Sequence, residues 1–204
     1  MKLLQLTTLA LSIFLLSACG SVSPIPGDTF YRFNDVSIAS AHDKAWTGGV
    51  VAIDRVRASG IYKDRAIAIL KEDGVSLIQS KYHYWNDSPE VLIQQRIFEH
   101  AIKAAVAPTV SLKVDTQTDY VIGGRLSRFE RLENYSGGSG VAIELTLNLR
   151  RADDSGEIIF EQQQRFVEAS DSAEVRDAVL TLSAGLDKLI AEFFSAASRV
   201  VVPK

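Results

Sequence analysis

The stretch VAIELTLNLRR, residues Val141–Arg151, constrains the fold more than any other part of the chain. Val141, Ile143, Leu145, Leu147 and Leu149 fall on one side of a period-two pattern, and Glu144, Thr146, Asn148 and Arg150 fall on the other. That alternation is the mark of a strand with one buried face and one wet face. The flanking segments agree with it. DYVIGGRLSRFERLE, from Asp119, alternates through Tyr120, Ile122, Gly124 and Leu126, and then Phe129 falls out of parity, which predicts a β-bulge. EIIFEQQQRFVEA, from Glu157, follows the polar turn Asp153-Asp154-Ser155-Gly156. The short loops between these three strands predict an antiparallel meander.

Upstream, GGVVAIDRVR (Gly48 to Arg57) reads as a strand. Two β-rich runs, Ala66 to Lys71 and Val75 to Tyr84, flank Glu72-Asp73-Gly74; Asp-Gly predicts a hairpin because both residues tolerate positive φ. A helix follows, with Ser88 as its cap, Pro89 at its first position and Pro108 as its stop. Its apolar stripe reads as Val91, Phe98, Ala101, Ile102 and Ala105. A second helix spans about Ser172 to Ala197, with Asp171 and Glu174 spaced like a capping box. Val175, Ala178, Val179, Leu182, Leu186, Leu189, Ile190 and Phe193 form its buried stripe. The expected fold is α/β: a mixed, largely antiparallel sheet with two principal helices, in a single domain over residues 29–204.

The N-terminus carries a different message. IFLLSACG, Ile13 to Gly20, holds the only cysteine of the 204 residues. Met1-Lys2 gives a basic start, and the apolar run from Leu3 to Ala18 is shorter than the ~20 residues a bilayer core needs. Leu16-Ser17-Ala18-Cys19 resembles the bacterial lipobox, in which the signal peptide is cut just before the cysteine. The resemblance implies residues 1–18 as a lipoprotein signal peptide and Cys19 as the lipid attachment residue, carrying a thioether-linked diacylglycerol and an amide-linked acyl chain. Stable anchoring takes about two chains, at about 0.8 kcal/mol per buried methylene, so three hold the protein firmly on a membrane. Gly20 rather than Asp after the cysteine favours the outer membrane, facing the periplasm. Residues 19–28, rich in Gly, Ser and Pro, read as the acylated cysteine and a tether reaching ~30 Å at most.

The mature chain is acidic. The full chain has a formal charge of −3, and losing Lys2 with the signal brings it to −4, so no basic excess exists to bind nucleic acid. With Cys19 acylated no thiol remains for a disulfide. His42, His83 and His100 have no metal-ligand spacing and read as surface or packed residues. YSGGSG, Tyr135 to Gly140, lacks the ending of a phosphate loop and the geometry of a nucleophile elbow, and reads as a hairpin tip. Asp153-Asp154 and Glu72-Asp73 are turn chemistry. SKYHYW, Ser80 to Trp85, reads as edge-strand and core packing. No catalytic, cofactor-binding or metal residue stands out, and no cofactor is expected beyond the acyl chains on Cys19.

The order of motifs resembles the ABC-type transport auxiliary lipoprotein family. Phe30-Tyr31-Arg32-Phe33 is similar to its aromatic start, Trp85 followed by Pro89 to its approach to the first helix, and Arg128-Phe129-Glu130 to the end of its long strand. The chain departs from the pattern at Phe33 and in Tyr135 to Gly140. The resemblance implies an accessory component of a system that pairs an inner-membrane ABC transporter with a periplasmic MCE-domain protein and moves lipids between membranes. The alternatives are a stand-alone periplasmic lipoprotein that holds a lipid between helix and sheet, and an envelope enzyme.

Overall fold

The computed structural model describes residues 26–36 and 48–201. Among these, eight strands form one sheet: β1 (Thr29–Tyr31), β2 (Val50–Ala58), β3 (Ala66–Leu70), β4 (Leu77–Trp85), β5 (Thr109–Ser111), β6 (Tyr120–Tyr135), β7 (Gly138–Arg151) and β8 (Ile158–Ala169). Two helices, α1 (Pro89–Lys103) and α2 (Val175–Ala197), pack on it. The mixed α/β fold and the largely antiparallel sheet are as the patterning predicts.

The long strand β6 organises the sheet. Along one edge it pairs antiparallel with β7, and β7 with β8, which is the expected meander. Its other edge is shared. The first half pairs in parallel with β2, from Tyr120 to Leu126, and the second half with β3, from Glu130 to Leu132. The register of the β6–β7 ladder shifts between Leu126 and Arg128, where the parity breaks in sequence. The bulge at Ser127 therefore lies where β6 passes from one partner to the next. A 3-10 turn, Gly60–Lys63, joins β2 to β3 across the same gap. The sheet then branches, with β5 parallel to β2 on one side, and β4 antiparallel to β3 with β1 parallel to β4 on the other.

Burial follows the period-two pattern. Val141, Ile143, Leu145, Leu147 and Leu149 are fully buried on the helix face, with Ile53, Val56, Ile122 and Leu126 from the neighbouring strands. Each such side chain contributes about 1.5–3 kcal/mol of burial. The stripe predicted for α2 is buried from Ala178 to Phe193, and Val175 is half-buried. At Gly185 the helix comes so near the sheet that a Cβ would sit 2.4 Å from the Phe166 ring.

Several local expectations need correction. Only Ala101 of the five apolar positions expected to line α1 is buried; Val91 and Phe98 are half-buried, and Ile102 and Ala105 are exposed. The helix lies instead on Ile93, Ile97 and Ala101, with Arg96 and His100 on the same buried side. Pro108 does not stop it. The chain leaves the helix at Ala105, which has φ of 49°, and the N–H groups of Ala105 and Val106 bond the carbonyls of Ile102 and Ala101. That is a Schellman closure with alanine where glycine is usual. Ser88 has the backbone of an N-cap but its side chain caps nothing. The Asp171–Glu174 box does not form either: α2 begins at Val175, where the Ser172 hydroxyl accepts the Glu174 N–H at 3.0 Å and donates to Asp177 at 2.6 Å. In the β3–β4 hairpin only Gly74 takes positive φ (70°). Asp73 contributes its carboxylate, which accepts the Ser76 hydroxyl and the N–H groups of Ser76 and Val75 and is held down to about 2 by them.

Candidate functional site

Cys19, the predicted lipid attachment residue, and His42 lie outside the described residues. What the structure does bring together are the residues that carried the resemblance in sequence. After β1 the chain crosses from the sheet edge to the helices. On the way Phe33 packs 5.4 Å from Trp85 and edge-on to Phe129 at 6.1 Å, while Trp85 and Phe129 lie 5.2 Å apart. Three motifs spread over about half the chain thus meet in one aromatic cluster, with Trp85 and Phe129 buried.

Beside this cluster sits a charged hub. The Arg96 guanidinium, only 2% exposed, donates through Nη2 to Asp187 at 2.6 Å and through Nε to the other carboxylate oxygen, a two-point grip between α1 and α2. His100 Nε2 lies 2.7 Å from the same carboxylate. Arg96 Nη1 donates to the Asn34 carbonyl at 2.6 Å, the Ser183 hydroxyl donates to the Asn34 side chain, and Lys103 Nζ donates to the Val36 carbonyl at 2.8 Å. Burial alone raises the Asp187 pKa, but the hydrogen bonds and charges of His100 and Arg96 outweigh it and hold the carboxyl below its usual range. The hub clamps residues 33–36 onto both helices. An open cleft of about 450 Å³ lies over it, walled by Arg32, Leu92, Gln95 and Glu99.

Asp187, His100 and Ser183 are the residue types of a hydrolytic triad, yet their geometry is not one. His100 turns Nε2 to Asp187, and the fully buried Ser183 hydroxyl is engaged by Asn34 and by Arg96. No base reaches the hydroxyl, so the arrangement holds elements together rather than activating a nucleophile.

A second buried group fills the gap at the Ser127 bulge. Glu130, 2% exposed, accepts from Arg128 and from the Tyr62 hydroxyl of the 3-10 turn, and Arg128 also reaches Glu144 at 3.3 Å. Burial, and then the bond to Glu130, push the Tyr62 phenol well above its ordinary value. The turn that spans the two halves of β6 is pinned by this pair.

The remaining sequence candidates fall where turn and packing chemistry put them. SKYHYW ends β4: Trp85 enters the core, His83 Nδ1 meets the Tyr31 hydroxyl at 3.0 Å, and Tyr84 faces the exposed Phe30 at 5.7 Å. YSGGSG closes the β6–β7 hairpin through Ser136 and Gly137, both with positive φ (52° and 81°). Asp153 accepts the Ser155 N–H at 3.1 Å within its turn. Among the described residues no group of three His, Cys, Asp or Glu is placed to hold a metal, and no helix is long and apolar enough to cross a membrane. Sequence reasoning missed Arg96, Asp187 and Tyr62, and had Glu130 only as a motif residue at the end of a strand. The one signal for the hub was Arg96 and His100 at helical i,i+4 spacing, inside the run that had to be buried.

The face of the sheet away from the helices is polar. A shallow cleft of about 640 Å³ crosses β2, β6, β7 and β8 there, with Asp54, Arg57, Gly123, Arg125, Thr146 and Asn148 along it.

Comparison with known proteins gives a consistent picture. The model of the family described as "ABC-type transport auxiliary lipoprotein component" matches residues 31–193, which include the aromatic cluster and the hub. The crystal structure of protein XCC0632 from Xanthomonas campestris is similar in fold, with a TM-score of 0.74 at 13% identity, covering 84% of this chain and 95% of that one. The hypothetical protein CT253 from Chlamydia trachomatis is similar with a TM-score of 0.53 at 9% identity, covering 76% and 98% of the two chains. No curated protein matches the sequence.

Proposed function

The chain belongs to the family of ABC-type transport auxiliary lipoprotein components, and on that premise we propose that it is the accessory lipoprotein of an envelope transport system that moves lipid between membranes. Its partners in this reading are a periplasmic MCE-domain protein and, through it, an inner-membrane ABC transporter. Cys19 is the attachment residue, and the outer membrane, on its periplasmic side, is the site of attachment. The observation that carries the proposal is the family match over residues 31–193 directly behind the lipobox at Leu16-Ser17-Ala18-Cys19.

The interior supports docking over carrying. The layer between helices and sheet is filled by side chains with no exposure, among them Leu182, Leu186, Ile190 and Phe193 from α2 and Ile143, Leu145 and Leu147 from β7. The buried charged groups are engaged with one another. The role is therefore that of an adaptor without a chemical step of its own.

The test is crosslinked co-purification of the full-length acylated protein from its own envelope, with partners identified by mass spectrometry. Recovery of an MCE-domain protein or an ABC transporter is the expected result. Recovery of neither, where known envelope complexes survive, would overturn the reading. Cys19→Ala should abolish acyl incorporation and release the protein from the membrane fraction; retention on the membrane would remove Cys19 as the anchor.

A further inference from the structure

Arginine is treated in two ways on the open face of the sheet. Arg128 is paired with Glu130 and Glu144, Arg165 with Glu144, and Arg150 with Asp54 at 3.4 Å. Arg57 and Arg125 have no partner among the described residues, and both are exposed. They are also direct register partners in the parallel β2–β6 ladder. Adjacent strands lie about 4.8 Å apart, so the two side chains leave the sheet next to one another. Like charges directly opposite on a sheet are destabilising. The fold tolerates that repulsion at this pair while it neutralises Arg128, Arg150 and Arg165 nearby.

The surroundings extend the pair into a row. Arg125 is registered with Thr146, and Thr146 with Gln163, so a line of donors crosses β2, β6, β7 and β8. Next to it the buried Gly123 lies between Asp54 and Asn148, both of which a Cβ there would touch. Arg55 is exposed in the β2 bulge on the same cleft. The acidic residues of the cleft are Asp54, which Arg150 holds, and Glu161, which is registered with Asn148 on the far strand. The centre is thus cationic in a chain whose formal charge is −3. Its cations are all guanidiniums, which bind carboxylates by a two-point fork.

We propose that this row is a docking groove for an acidic, extended segment of a protein partner, with Arg57 and Arg125 as its carboxylate readers. A segment laid across four strands matches the length of the row, which a single small anion does not. A membrane surface fits less well, because the aromatic pair suited to lipid headgroups, the exposed Phe30 and the half-buried Tyr84, lies on the β1–β4 branch and not around these arginines. The proposal deepens the accessory-component reading by naming the chemistry of one contact. Its test does not depend on which transporter is involved.

Full-length acylated protein in neutral nanodiscs is titrated into fluorescein-labelled hexaglutamate, with hexaglutamine as the control, and anisotropy is read at low and physiological salt. The wild type should bind hexaglutamate and not hexaglutamine. R57Q/R125Q should weaken binding about tenfold, as loss of two exposed ion pairs implies. R151Q, which removes an exposed arginine held by Glu157 outside the groove, should leave binding unchanged. Thermal melts identify any variant that folds poorly, and single R125Q carries the test if the double variant melts early. Absence of hexaglutamate binding, or an equal loss in R151Q, would overturn the proposal while leaving the co-purification result untouched. Arg57- and Arg125-dependent binding to phosphatidylglycerol vesicles without peptide binding would overturn it in favour of a lipid headgroup.

Discussion

The hub between the helices and the open face of the sheet use the same side chain to opposite ends. Arg96 is buried, grips Asp187 at two points and orders a chain segment; Arg57 and Arg125 are exposed, adjacent in register and unpaired among the described residues. A buried charge must be matched because desolvation is costly, so the hub's partners are set by folding itself. An exposed pair in water is under no such obligation, so its lack of a partner leaves room for one from outside. The contrast separates arginines that serve stability from arginines that are free to recognise.

The sharpest way to break this contrast is Asp187→Ala. It leaves Arg96 buried without its carboxylate and should destabilise the domain by about 3–5 kcal/mol in urea unfolding. A change below about 1 kcal/mol would mean that the hub is no different from a surface pair. The next effect is on pH. Asp187 binds its proton less readily in the folded state, so its contribution is complete above the unfolded carboxyl value near 4 and is lost as pH falls through the lower folded value. Asp187→Asn should therefore flatten the loss of stability on the acid side of about pH 4, measured as melting temperature against pH. An unchanged profile would place the acid sensitivity elsewhere. Ala105→Gly relieves the left-handed residue that ends α1 just after His100 and should raise stability by about 1 kcal/mol. The smallest effect is at the open face: Arg125→Gln removes a like-charge neighbour and should raise stability by a few tenths of a kcal/mol. A clear loss would show Arg125 to be structural.

Local rules made much of the fold legible. Alternation from Val141 identified β7 with its buried face, and the parity break at Phe129 located the Ser127 bulge, because both depend only on the two-residue repeat of a strand. The α2 stripe was legible for the same reason, as apolar residues at helical spacing with a single possible buried side. The buried side of α1 was not. Arg96 and His100 look like solvent residues until Asp187, 91 and 87 positions away, supplies the opposing charge. The sharing of β6 between β2 and β3, and the adjacency of Arg57 and Arg125, depend on the register between distant strands, which no local pattern fixes. The aromatic cluster lies between these cases: its members were each visible in sequence, and only the fold shows that they touch.

The path of residues 29–36 has a mechanical consequence. A pull applied at the N-terminus does not reach the core directly. It first loads the three-residue pairing of β1 with β4, then the seat of Phe33 against Trp85 and Phe129, then the bonds from Arg96 and Ser183 to Asn34, and last the Lys103 bond to Val36. These are fastenings in series, each weaker than the β6–β7 ladder behind them. A domain built this way should peel at its leading edge under tension while its meander stays intact, and residues 29–36, once released, let out about 26 Å of extended chain between whatever holds the N-terminus and whatever the sheet engages.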